Sequence, residues 1–317
     1  MKELALWCVG PGQASLRPCS MGEGDLVEML YSGISRGTER LVFEGRVPAS
    51  EHTRMRGPAQ EGDFSFPVKY GYCAVGRVLE GPLAGKAVFA LHPHQSRFRL
   101  PVTAMTPLPD GLPPARAVLA ANMETALNIL WDSGAGAGDR IAVIGAGVVG
   151  ALTGYLAARL PGADVTLVDV NPQREKIAQG LGCRFARRGD APKDCDVVVH
   201  LSASAKGLAI AMDCAGQDAT IVEGSWHGSG DTPVPLGGAF HSRRLRLVSS
   251  QVGRLPPARA PRWTYARRMA KALDLLADPA LDALISGETL FSDLPAQYGA
   301  ILSDTNTLCH RIRYTPE

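Results

Sequence analysis

The run IAVIGAGVVG, residues 141–150, constrains this chain more than any other stretch. Gly145, Gly147 and Gly150 stand in the spacing G-x-G-x-x-G, after an apolar β-type run and ahead of a helical pattern. Each glycine has a mechanical task. Gly145 permits a tight turn, Gly147 lets the backbone at Val148 and Val149 approach a diphosphate, and Gly150 lets helix close on strand. A dinucleotide's diphosphate would then lie at the positive end of the following helix. Further on, VTLVDVN ends a second apolar run at Asp169 and Val170, with Asp169 nineteen residues beyond Gly150. A carboxylate at that place accepts both ribose hydroxyls of NAD and repels the 2′-phosphate of NADP. The pattern therefore predicts NAD(H), with NADP less favoured; Arg174 is the nearby group that works against this preference.

The flanking pattern sets the fold class. RIAVIGAG, ADVTLVDVN, DVVVHLSA and ATIVEGSW are buried-type strands that alternate with helical stretches such as VVGALTGYLAARL. Such alternation predicts α/β structure, a doubly wound parallel sheet of Rossmann type with covering helices. Ser202, in the turn LSASAKG after one of these strands, falls at the carboxyl edge of the sheet, where ligands bind. It is a candidate contact to the ribose or nicotinamide, or else an ordinary turn serine. The first hundred or so residues differ: DLVEMLY, AVGRVLE, KAVFAL and SRFRLPV are short β-type runs between turn residues, which describes an all-β unit. The expected division is a β-rich domain at 1–118, a nucleotide domain at 119–254, and a return segment at 255–317 that completes the first domain.

Charge and composition exclude several functions. The formal net charge is only +2, and basic residues are not interleaved with aromatics along any stripe, so no nucleic-acid partner is expected. No apolar run reaches the roughly 18 residues that a spanning helix needs, and the first residues lack a signal-peptide pattern. The seven cysteines are scattered singly, without C-x-x-C, as in a reduced cytoplasmic protein. A small-molecule substrate and no membrane partner are expected.

Several ordered matches give the chain a resemblance to the medium-chain dehydrogenase/reductase superfamily: GISRGTE (33–39), PVKYGYCAVGRV (67–78), VFALHPHQSRFRLP, LPDGLPPARAVLAA, METALNIL, and the fingerprint followed by VDVN. Locally, SGISRGTERLVFEGRVP and GYCAVGRV are similar to the bacteriochlorophyllide a dehydrogenase branch. The resemblance implies a GroES-like β-rich catalytic domain ahead of the Rossmann domain, a nicotinamide cofactor and a homodimer. Zinc members of the superfamily carry a cysteine in the segment matching GISRGTE, a His-Glu pair after the glycine of the second match, and a further cysteine ahead of the METALNIL helix. Here those positions hold Ser35 or Arg36, then Tyr72 with Cys73, then a residue near Ala121. Catalytic zinc in this family wants three thiolate or imidazole ligands beside an open site. The resemblance therefore points to a zinc-independent member, with no metal expected.

Without a Lewis acid, another group must stabilise a developing alkoxide. Tyr72 takes the place of a metal ligand, so its hydroxyl is the candidate general acid or hydrogen-bond donor, the alternative being a packing tyrosine. Ser35 and Thr38 are candidates for a short hydroxyl relay. His92 and His94, two apart, could rebuild a metal site with Cys73, although Pro93 between them favours a loop; His94 is also a candidate proton shuttle. Glu124 stands at the start of a helix, as catalyst or as a dipole partner, and Thr125 matches a threonine on the nicotinamide side. The chemistry these residues suggest is hydride transfer between NAD(H) and a carbonyl or secondary alcohol. The alternatives are reduction of an activated C=C bond and a non-catalytic NAD(H) sensor.

Overall fold

A computed structural model describes residues 3–314 of the chain. It divides into two units, one formed by residues 3–121 with 269–314, the other by 122–268. These boundaries fall later than the expected 118/119 and 254/255. Residues 255–268 join the nucleotide unit because Trp263 packs on Trp131 at 4.6 Å, Tyr265 donates to the Gly253 carbonyl, and Arg268 pairs with Glu124. Among the described residues no helix is long and apolar enough to cross a membrane.

The nucleotide unit is a parallel sheet in the order Arg184–Ala186, Asp164–Val168, Arg140–Ile144, Cys195–His200, Ala215–Glu223, Arg246–Ser249. The order reverses between Arg140–Ile144 and Cys195–His200, which is the switch point of a doubly wound sheet. Alternate residues of one strand enter opposite cores. Ile141, Val143, Val197, Val199 and Val222 share one, whereas Ala142, Ile144, Val198 and Ile221 share the other. Both faces are thus dry, and this explains why the strands are written as unbroken apolar runs.

The other unit is β-rich. One sheet runs in the order Ile285–Leu290, Cys309–Arg313, Asp25–Ser35, Ala74–Val78, Ala87–Ala90, Met105–Pro107, with Arg97–Leu100 also paired to Asp25–Ser35. A second sheet joins Gln13–Pro18, Leu4–Gly10, Val68–Lys69 and Glu61–Gly62. The late segment adds two strands to this sheet, Cys309–Arg313 directly beside Asp25–Ser35 and Ile285–Leu290 beyond it, so this unit is completed by residues nearly three hundred positions away. Arg116 locks the return: its guanidinium donates to both carboxylate oxygens of Asp282, at 2.7 and 2.8 Å. Between Ala87–Ala90 and Arg97–Leu100 the chain makes only a short turn, with no inserted lobe.

Candidate active site

The fingerprint turn has the geometry that its glycines require. Gly145 has φ +104°, and a Cβ there would lie 2.8 Å from the Ser202 backbone nitrogen. At Gly150 a Cβ would lie 1.9 Å from the Gly145 carbonyl oxygen. A Cβ on Gly147 would meet nothing within 4 Å, so the approach to the first turn of helix Val148–Ala157 is open. Val148 is buried, Val149 is half-buried, and Val170 is 77% exposed beside Asp169. The Asp169 carboxylate accepts from the Ala146 N–H at 2.7 Å and from the Asn171 N–H at 2.8 Å. It therefore braces the turn as well as facing it, a role absent from the sequence pattern. Arg174 is buried rather than presented at the edge. Ser202 is exposed, with its hydroxyl 2.7 Å from His200 Nε2, and Thr125 is half-buried.

In the β-rich unit, Tyr72, Ser35 and Thr38 come together. Strand Asp25–Ser35 passes without a break into helix Arg36–Phe43, so Ser35 ends the strand and Thr38 lies in the first helical turn. Tyr72 follows Gly71, whose φ of +131° bends the chain between Val68–Lys69 and Ala74–Val78. The Tyr72 phenol hydrogen-bonds with the side chains of both Ser35 and Thr38. Burial pushes this phenol well above its ordinary range, and the two hydroxyls pull the other way without overcoming it. Tyr72 is thus held protonated, a donor backed by two further hydroxyls. Its ring packs edge-on against Tyr70 at 6.0 Å.

Beneath this trio lies a buried network that sequence reading missed. Glu39, wholly buried, accepts from the Ser35 backbone N–H at 2.7 Å, from the Tyr298 hydroxyl at 2.7 Å, and from His94 Nε2 at 2.9 Å. His94 Nδ1 meets the Ser32 hydroxyl at 2.8 Å, and Ser32 meets the Tyr314 hydroxyl at 3.0 Å. Glu39 sits within the quoted run GISRGTE, but its partners come from residues 94 and 298, which no local pattern reveals.

Several expectations are corrected by these placements. His94 is wholly buried with both ring nitrogens bonded inside the unit, which places it as a support for Glu39 rather than a substrate-facing shuttle. His92 stacks on Phe98 at 3.9 Å and bonds the Pro93 carbonyl, and burial lowers its pKa to about 3. Glu124 is tied to Arg268 at 3.0 Å, both buried, and Arg268 also reaches Asn128 and the Val252 carbonyl. That is an internal ion pair rather than a catalytic carboxylate. Burial raises the Glu124 carboxyl although Arg268 opposes the shift.

The positions that hold zinc in the resembling family do not fit the metal here. Ser35, Tyr72 and Ala121 bring no thiolate or imidazole, and Cys73 is wholly buried, its thiol pushed well up by burial. Among the described residues the one group of three convergent His, Cys, Asp or Glu donors is His200, Glu223 and His227, in the nucleotide unit.

Fold and fingerprint together define the class: the chain has the medium-chain dehydrogenase fold. It aligns with the crystal structure of L-idonate 5-dehydrogenase from Escherichia coli at a TM-score of 0.77 and 14% identity, covering 99% of this chain and 98% of that one. It aligns with TarJ of S. aureus, solved with NADPH, at a TM-score of 0.76 and 14% identity, each chain covered in full. No protein-family model matches the chain. Over 127 residues, 40% of the chain, it is 31% identical to an uncharacterized zinc-type alcohol dehydrogenase-like protein of Haemophilus influenzae, and the match covers 36% of that protein. Over 200 residues, 62% of the chain, it is 24% identical to L-threonine 3-dehydrogenase of Ruegeria pomeroyi, covering 53% of that protein. The chain thus spans about a third to about a half of the length of the curated relatives it matches.

Proposed function

We propose that the protein is a nicotinamide-dependent oxidoreductase acting on a carbonyl or secondary alcohol, with no zinc at the family's catalytic positions. The observation that carries this reading is the fingerprint turn: Gly145 at a φ of +104° that glycine takes freely, Gly150 closed against it, and the way past Gly147 open, with Asp169 beside it. Backbone N–H groups at the start of helix Val148–Ala157 would hold the diphosphate, and Asp169 the ribose hydroxyls. The cofactor supplies the hydride chemistry when bound. Tyr72 donates the proton that a reduced carbonyl oxygen needs, and Ser35 and Thr38 stabilise the phenolate left behind. Glu39 fixes Ser35 through its backbone, so the donor's support is set by the fold. A zinc-type alcohol dehydrogenase-like relative and a neighbour solved with NADPH support the class of chemistry. The preference for NAD rests on Asp169 alone.

Fluorescence titration with NADH and NADPH tests the reading. Tight NADH binding is expected, and Asp169→Ala should weaken NADH while leaving NADPH unchanged or improved. Because Asp169 also braces the turn, a loss of both nucleotides would assign it to turn support and leave NAD preference without a basis. With 4-deuterated NADH, deuterium in an alcohol product supports the reading, deuterium in a saturated carbonyl replaces it with C=C reduction, and no transfer to any substrate leaves a binding protein.

A further inference from the structure

The donor cluster at the carboxyl edge of the nucleotide unit's sheet takes no part in the proposed hydride transfer. His200 ends one parallel strand, and Glu223 ends its neighbour in direct register with it. His200 Nδ1 lies 2.5 Å from Glu223 Oε2, and His227 Nε2 lies 3.3 Å from the same oxygen. All three atoms are within 4.8 Å of one another.

The outward atoms of the three side chains are held as well. His200 Nε2 meets the Ser202 hydroxyl at 2.7 Å, His227 Nδ1 meets the Thr232 hydroxyl at 2.9 Å, and Glu223 Oε1 accepts from the Ser225 N–H at 2.8 Å. Gly207 makes room for this arrangement, since a Cβ there would lie 2.0 Å from Ser202 Oγ and 2.7 Å from His200 Nε2. An imidazole that gives its outer N–H to a partner turns a lone pair inward, which is how metal-bound histidines are oriented. In the structure His200 Nδ1 gives its proton to Glu223 Oε2. A cation that displaces this proton would be met by two imidazole lone pairs and a carboxylate oxygen, with the outer N–H groups given to Ser202 and Thr232.

We propose that His200, Glu223 and His227 form a site for a zinc-class divalent cation. Two imidazoles and a glutamate are a donor set of open zinc sites, which keep a further position for water or a ligand oxygen. Zinc bonded at about 2.1 Å holds tetrahedral ligands about 3.4 Å apart. The His227–Glu223 pair already stands at 3.3 Å, and the His200–Glu223 pair must open by less than 1 Å from 2.5 Å. His200 is wholly buried, whereas the Glu223 and His227 side chains are 18% and 20% exposed, so the fourth position faces outward. The site lies past the switch point from the fingerprint strand, on the side across which a bound dinucleotide extends. Its chemistry suits a hydroxyl or carbonyl oxygen as the added ligand.

Metal binding to the nucleotide-free protein tests this independently of hydride transfer. Full-length protein is stripped with a chelator and then titrated with Zn²⁺ against a chromophoric chelator. Co²⁺ is added separately and its visible spectrum recorded. One ion per chain with submicromolar affinity and a four- or five-coordinate Co²⁺ spectrum is expected. His227→Ala should weaken binding by roughly 100-fold or more, and Thr232→Val by about tenfold, the usual worth of an orienting partner. Cys73→Ser should change nothing. Should Glu223→Gln fail to fold, His227→Ala, altered at the rim, still decides. Absence of stoichiometric Zn²⁺ binding in the unsubstituted protein, or undiminished binding in His227→Ala, overturns the proposal.

Discussion

Replacing Tyr72 with phenylalanine removes one oxygen and tests the proposed chemistry directly. The phenol is a donor that burial keeps protonated and that two hydroxyls support. A positioned general acid contributes about 10²-fold to 10⁴-fold, so Tyr72→Phe should lower kcat by at least about 10²-fold, equivalent to roughly 2.7 kcal/mol of barrier. The ring stays, keeping its edge contact with Tyr70. Two hydrogen bonds are lost at a net of about 1 kcal/mol each, so the protein should remain folded and bind NADH as before. Removing either supporting hydroxyl, in Ser35→Ala or Thr38→Val, should cost less, about tenfold in kcat. Because burial carries the phenol well above its ordinary range, carbonyl reduction should show no kcat limb from this group between about pH 6 and pH 9. Stopped-flow NADH oxidation with a carbonyl substrate from a screen supplies the rates. A Tyr72→Phe rate within about threefold of the parent would reduce Tyr72 to packing and remove the proton donor from the mechanism.

Two further outcomes follow from buried groups. His92 titrates at about 3 in the fold against an ordinary value of 6.5, so its neutral form is favoured. Stability is full above about pH 6.5 and falls toward pH 3 at up to about 1.4 kcal/mol per pH unit; His92→Phe should flatten that fall in urea midpoints, and an unchanged slope would refute the assignment. Glu124→Ala strands the Arg268 guanidinium and should cost about 3 kcal/mol of stability in denaturant melts. A lowered kcat at unchanged stability would instead return Glu124 to the chemistry.

The nucleotide unit was almost wholly legible in the sequence because its determinants are local. Three glycines within six residues, apolar runs buried on both faces and an acidic residue at a strand end each act on near neighbours. Tyr72 stood out in the sequence for a different reason: by resemblance, the frame PVKYGYCAVGRV marks a place where the family carries a metal ligand, and a tyrosine stands there instead. Tertiary structure decided the rest. The contact of Tyr72 with Ser35 and Thr38 joins segments more than thirty residues apart, and Glu39 acquires its role only when His94 and Tyr298 arrive beside it. His94 and Glu124, plausible reactive groups by residue type, become structural once the fold buries them with partners. The approach of His200 to Glu223 follows from strand register, because parallel pairing sets the two opposite each other, and His227 joins them from the loop after the second strand. A chain's local pattern specifies what each segment can become, but burial and pairing across the chain determine which polar groups remain free to react.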